Sequence, residues 1–127
     1  MTSKGSLNKV ILIGNLVYEP ELKEISPNVF RCRMVVATNR KWKTESGEVK
    51  EEAEYHRIVA WQKLAELCGQ ILEKGKKVYV EGRLATREWD GADGLRKKET
   101  EIVLEEVIAL EAAKAETAEV TDPSVPF

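Results

Sequence analysis

Two cysteines, a single histidine and no apolar run longer than Val10–Ile13 are the scarcities of this 127-residue chain, and each closes a class of function. Cys32 and Cys68 lie far apart, one in a strand pattern and one in a helix pattern, with no Cys-x-x-Cys spacing and no companion histidines. Two buried free thiols in a reducing compartment are expected, and no metal site. With His56 alone and the acids dispersed, no nucleophile pairs with a base and no carboxylates cluster around a metal. No catalytic residue, cofactor or small-molecule substrate is therefore expected. The run VILI is cut off by Gly14, far short of the roughly 20 residues of a membrane span, and the amino end lacks the apolar core of a secretory signal. A soluble, cytoplasmic protein without a membrane partner is the expectation. The length fits one domain, which buries roughly two thirds of the surface its unfolded chain exposes.

The formal net charge of −2 hides an asymmetry. Residues 1–110 carry 19 Lys and Arg against 18 Asp and Glu, and residues 111–127 carry one against four. This divides the chain into a folded body, 1–110, and an acidic tail, 111–127. The tail has no apolar stripe to dock it and is expected to be flexible. A nearly neutral body is not a uniformly basic nucleic-acid binder, so any strand-binding surface has to come from sorting charges onto faces.

The body reads as strands. Leu7 to Val17 is rich in Val, Ile and Leu, with Gly14 marking a bend or bulge. After Pro20, Glu21 to Ile25 makes a short extended piece before the turn signal Ser26-Pro27-Asn28. Val29 to Thr38 alternates, with Phe30, Cys32, Met34 and Val36 facing one way and Arg31 and Arg33 the other. Asn39 to Ala53 is polar and too long for a tight hairpin, so it is expected to be a projecting loop or arm carrying Trp42. Glu54 to Trp61 is a third strand. Leu64, Leu67, Cys68, Ile71 and Leu72 then follow helical spacing until Gly75, with Gly69 costing about 1 kcal/mol relative to Ala. Lys77 to Trp89 and Lys97 to Leu110 flank the turn signal at 90–94 and form a long hairpin. Five strands with one short helix between the third and fourth is the order of the all-β OB-fold, a Greek-key barrel that binds oligonucleotides on one sheet face and two protruding loops.

Four aromatic residues sit among basic ones. In the third strand a period of two puts Tyr55, Arg57, Val59 and Trp61 on one side, opposite His56, Ile58 and Ala60. In the fourth it puts Val78, Val80, Gly82 and Leu84 on one side, with Tyr79, Glu81, Arg83, Ala85, Arg87 and Trp89 on the other. Trp42 is flanked by Arg40, Lys41 and Lys43. A single such strand reads more readily as a second packed face with solvated arginines. Two strands with the same interleaving, and Trp42 besides, favour flat platforms for stacked bases with cations for the phosphates between them.

The segments NKVILIGNL, ATNRKW, EYHRIVAWQKLAE and KGKKVYVEGRLATREW, with the terminal Pro126-Phe127, stand in the order and spacing of a known family. From about Leu7 to Leu110 the chain resembles the bacterial-type single-stranded DNA-binding proteins, the SSB family. The resemblance implies base stacking on Trp42, Tyr55, Trp61 and Trp89, two of which depart from the family's usual choice of Trp at position 55 and Phe at position 61. It places Arg57, Lys63, Lys74, Lys76, Lys77, Arg83 and Arg87 at or beside the basic positions of the DNA path, with Arg40, Lys41 and Lys43 flanking Trp42. Lys63 and Lys74 also read simply as solvated helix lysines. It implies a homotetramer, built partly through the first strand at Val10, Ile11, Leu12 and Ile13 and with His56 bearing on subunit contact. It implies that Asp122, Pro126 and Phe127 form a docking tip for replication, recombination and repair proteins, although one aspartate stands where the family has a run. Two readings compete: a coat for exposed single strands, and an OB-fold adaptor whose same surface meets protein. Retention of all four rings favours the coat. Preference for DNA over RNA rests on the resemblance alone.

Overall fold

Alternating apolar residues become six strands and one helix in a computed structural model, which describes residues 5–111. They are β1 (Val10–Leu16), β2 (Glu21–Ser26), β3 (Val29–Lys43), β4 (Val49–Trp61), α1 (Gln62–Ile71), β5 (Lys77–Asp90) and β6 (Arg96–Ala109). Five of the strands form a ring in the order β1-β5-β6-β4-β3, which closes where Asn15 and Leu16 pair with Ala37 and Val36. All pairings are antiparallel except β4 with β6. This is the expected OB-fold barrel, with its helix between the third and fourth strands of the ring. The short extended piece is β2, a sixth strand that pairs only with β3 and stays outside the ring.

The core is apolar throughout. Leu16, Cys32, Val36, Ile58, Val78 and Val80 are fully enclosed, and no polar or charged residue is buried among the described residues. Each aliphatic side chain so enclosed contributes about 1.5–3 kcal/mol. Burial pushes the Cys32 thiol up to about 11 and the Cys68 thiol up to about 12, which keeps both protonated and unreactive. The barrel closes by close approach of backbones. A Cβ on Gly14 would stand 2.2 Å from the Ala37 carbonyl oxygen, and one on Gly82 2.3 Å from that of Val103. Gly82 also sits at the bulge where β5 and β6 shift register.

Three local expectations change. Asn39 to Ala53 is no loop: β3 and β4 stay paired out to Lys43 and Val49, leaving a turn at 44–48. Outside the barrel both faces of this arm meet water, so no apolar alternation was needed to build it. The helix ends at Ile71 rather than at Gly75, with the Leu72 amide donating to the Cys68 carbonyl. Gly75 instead makes the turn into β5, its amide bonded to the Leu16 carbonyl at 2.8 Å. Leu67 is exposed and Ala65 takes the buried position, while Gly69 lies where a Cβ would press on Leu22 at 2.9 Å. Apart from Glu111, whose carboxylate accepts a hydrogen bond from the Lys77 amide at 2.9 Å, the expected tail of 111–127 lies outside the described residues.

Candidate nucleic-acid interface

Strand register decides which side chains share a surface, because residues directly opposite one another project to the same side of a sheet. Arg31, Arg33, Val35 and Ala37 of β3 stand opposite Trp61, Val59, Arg57 and Tyr55 of β4. Val59 is beside Val103 of β6. Lys97, Glu99, Glu101 and Val103 of β6 stand opposite Trp89, Arg87, Ala85 and Arg83 of β5. One outer face therefore runs continuously over β3, β4, β6 and β5, and it carries Tyr55, Trp61 and Trp89 together with Arg33, Arg57, Arg83 and Arg87. The rings are not interred: Tyr55 is 66% exposed, Trp61 41% and Trp89 39%.

Trp42 is also exposed, but its register partner is Lys50, and it alternates onto the other face of the β3–β4 arm. The Arg40 guanidinium lies 4.4 Å from the centre of its ring, and Arg87 lies 4.6 Å from that of Trp89. In each case the cation comes from two residues earlier on the same strand face, where it stiffens the ring and shields part of its π surface.

Four of the guanidinium groups, those of Arg40, Arg57, Arg83 and Arg87, are not free cations. Glu99, with a side chain only 19% exposed, bridges Arg57 and Arg87, bonding Arg57 closely and Arg87 at 3.1 Å. Glu101 takes the Arg87 Nε at 3.2 Å. Arg40 pairs with Glu52 at 3.1 Å, and Arg83 reaches Glu105 at 4.0 Å. Among the described residues, Lys41, Lys43, Lys63, Lys74, Lys76 and Lys77 make no ion pair; Lys41 and Lys43 continue the ringed side out along the arm, and the other four sit on the helix and the turn into β5.

Two grooves open along this surface. One, of about 480 Å³, is lined by Tyr18, Arg33, Arg57, Arg87, Glu99 and Glu101 among others. The other, of about 700 Å³, is lined by Tyr18, Tyr55, His56, Leu84 and Thr100 among others. Leu84, expected on the core side, is 49% exposed, since β5 has there passed the end of its pairing with β1 at Gly82. His56 faces away from the ringed surface, and its Nε2 is 2.9 Å from the Thr38 hydroxyl. Of the first-strand residues, Ile11 and Ile13 are exposed, whereas Val10 and Leu12 pack partly against the core.

Tyr18, Arg33, Glu99 and Glu101 were missing from the residues singled out in the sequence. Tyr18 belongs to the β1–β2 loop, which carries no periodicity. Arg33 showed in the alternation of its strand but was not joined to the third strand's face. Glu99 and Glu101 would have appeared from the same count of two applied to β6.

The profile of the single-strand binding protein family matches residues 7–110. Single-stranded DNA-binding protein 1 of Chlorobaculum tepidum is 49% identical over 98 residues, which are 76% of this chain and 60% of that protein. The chain thus spans about 60% of the length of this curated relative. A Plasmodium falciparum SSB solved in complex with single-stranded DNA superposes with a TM-score of 0.75 at 36% identity, over 87% of this chain and all of that one. A deletion mutant of the single-stranded DNA-binding protein from Thermus aquaticus gives 0.71 at 35% identity, over 83% of this chain and 51% of that one.

Proposed function

The chain belongs to the single-strand binding protein family, and from that premise we propose that it is a non-enzymatic protein that binds single-stranded DNA without sequence preference. The observation that carries the reading is the shared outer face: three exposed rings on two strands, with guanidinium groups between them. Every base has a π face, so stacking is worth about 1–3 kcal/mol per base whatever the sequence. Phosphates take the cations, and condensed counterions leave the DNA.

The finer parts of the reading are a role in replication, recombination and repair in the cytoplasm, assembly into a homotetramer, and recruitment of partner enzymes by Asp122, Pro126 and Phe127. Recruitment falls outside the described residues and rests on the resemblance. Assembly has support in the fold. β1 pairs with β5 along its length but with β3 only at Asn15 and Leu16, so its edge at Val10–Ile13 has no neighbouring strand among the described residues. Ile11, Ile13 and Ile108 are exposed on the outer face there.

Titration of the intrinsic Trp emission with oligo-dT tests the binding reading. Quenching is expected at low salt. If about five phosphates are neutralised per subunit, the log–log salt slope is about −3.5, at about −0.7 per phosphate on a single strand. Unquenched emission at low salt would overturn the reading and favour a protein-binding adaptor.

A further inference from the structure

We propose that Tyr18 and Arg33 form a nucleotide subsite of their own, Tyr18 stacking one base and Arg33 holding its phosphate. This rests on the single-strand binding reading and extends it to two residues outside the ring-and-arginine pattern of β4 and β5.

Tyr18 is 62% exposed, yet its loop is not loose. The Val17 amide donates to the Val35 carbonyl at 2.9 Å, which pins the loop over β3, and Pro20 restricts the backbone on the other side. Held there, Tyr18 is a wall of both grooves, lining one with Tyr55 and the other with Arg33 and Arg57. The phenol makes no hydrogen bond and the ring no cation contact among the described residues, so no internal partner accounts for its position.

Arg33 sits on the outer face of β3 between Glu21 of β2 and Val59 of β4. It is exposed and makes no ion pair among the described residues. That sets it apart from Arg57 and Arg87 in the same groove, whose charge Glu99 and Glu101 already meet. The charges fix how a nucleotide would lie. Glu19, next to Tyr18, also lines the groove, so an anion is unwelcome there while a neutral base is not; Glu21, opposite Arg33 in register, makes no ion pair with it among the described residues. The unengaged guanidinium is the place for the phosphate. A groove of about 480 Å³ is within the range that holds small ligands.

Oligo-dT affinity and its salt slope, measured on the full chain, separate the two roles because only phosphate contacts enter the slope. Tyr18→Ala is expected to weaken binding about 5- to 150-fold with the slope unchanged, and Tyr18→Phe to recover most of the loss. Arg33→Gln is expected to weaken binding and to make the slope shallower by about 0.7. Trp61→Ala serves as the control. If it weakens binding while Tyr18→Ala and Arg33→Gln bind like the parent, the subsite is overturned and the functional reading stands. If the parent chain itself does not bind, the functional reading falls and takes the subsite with it. A change of oligomeric mass in Tyr18→Ala would also overturn the subsite, since the groove would then be a contact between copies.

Discussion

The barrel leaves apolar side chains in water on two outer faces, and they differ in what accompanies them. Over β1, β5 and β6 the exposed residues are the aliphatic Ile11, Ile13 and Ile108. The polar groups beside them satisfy one another: the Tyr79 hydroxyl donates to Glu81, which Lys9 also meets at 3.0 Å. Those contacts hold the Glu81 carboxyl below its ordinary range and the Tyr79 phenol above its own. Over β3, β4, β6 and β5 the exposed residues are rings, and guanidinium groups alternate with them. Branched aliphatic chains bury well against another protein surface but present no flat face to a base. Rings interleaved with cations supply that flat face, with a charge beside it for the phosphate. One sheet thus carries two kinds of outer face, and the change from one to the other falls within β5, where the bulge at Gly82 separates Tyr79 and Glu81 from Arg83 and Arg87.

Charging the aliphatic face should produce the largest effect. Ile11→Asp combined with Ile13→Asp removes two apolar anchors from a contact between copies and places like charges across it, so self-association is expected to fall by at least about 1,000-fold. Sedimentation would show smaller assemblies, with oligo-dT binding per subunit retained. An unchanged mass would mean that subunits meet elsewhere.

The ringed face should respond in the opposite way. Trp61→Ala is expected to weaken binding about 5- to 150-fold, equally for oligo-dT and mixed sequences, with oligomeric mass unchanged. Trp42→Ala should cost less, because Trp42 alternates onto the other face of the β3–β4 arm. Equilibrium titrations of both variants check this. A larger loss at Trp42 would mean that the strand runs along the arm's opposite face.

How much of this was legible depended on where a side chain's contrast came from. Strands that bury one face announce themselves, because apolar residues recur at every second position, as at Cys32, Met34 and Val36 or at Val78 and Val80. The same count put Tyr55 and Trp61 together and Trp89 with Arg87. The arm at 39–53 buries neither face, so it read as a loop although its pairing is continuous. The partners of the arginines were hidden for another reason. β6 lies beside β4 through a parallel pairing of Ile58 with Ile102 and Val59 with Val103, and no local pattern states which strands will be neighbours. Only that adjacency brings Glu99 to Arg57. Tyr18 lacked even a strand to belong to, and its flanks, Glu19 and Pro20, gave no basic signal.

Glu99 lies within the ringed face, between two of its arginines, and its replacement should give the smallest but most discriminating effect. Its carboxylate is the common partner of Arg57 and Arg87, so a phosphate approaching either guanidinium has to displace it or share. With the arginine partners open to water, such pairs are each worth little, about 0–1 kcal/mol, which makes the exchange easy but leaves the centre of the face nearly neutral. In Glu99→Gln the side chain keeps its size and can still hydrogen-bond, while one negative charge leaves the strand's path. Affinity for oligo-dT at low salt should rise several-fold, and the salt slope should steepen by at most about 0.7, one phosphate's share. A loss of affinity with an unchanged slope would assign Glu99 the opposite role, that of holding the two guanidinium groups in position for the phosphates. The ringed face would then owe its selectivity for a strand to fixed geometry rather than to a charge that the strand displaces.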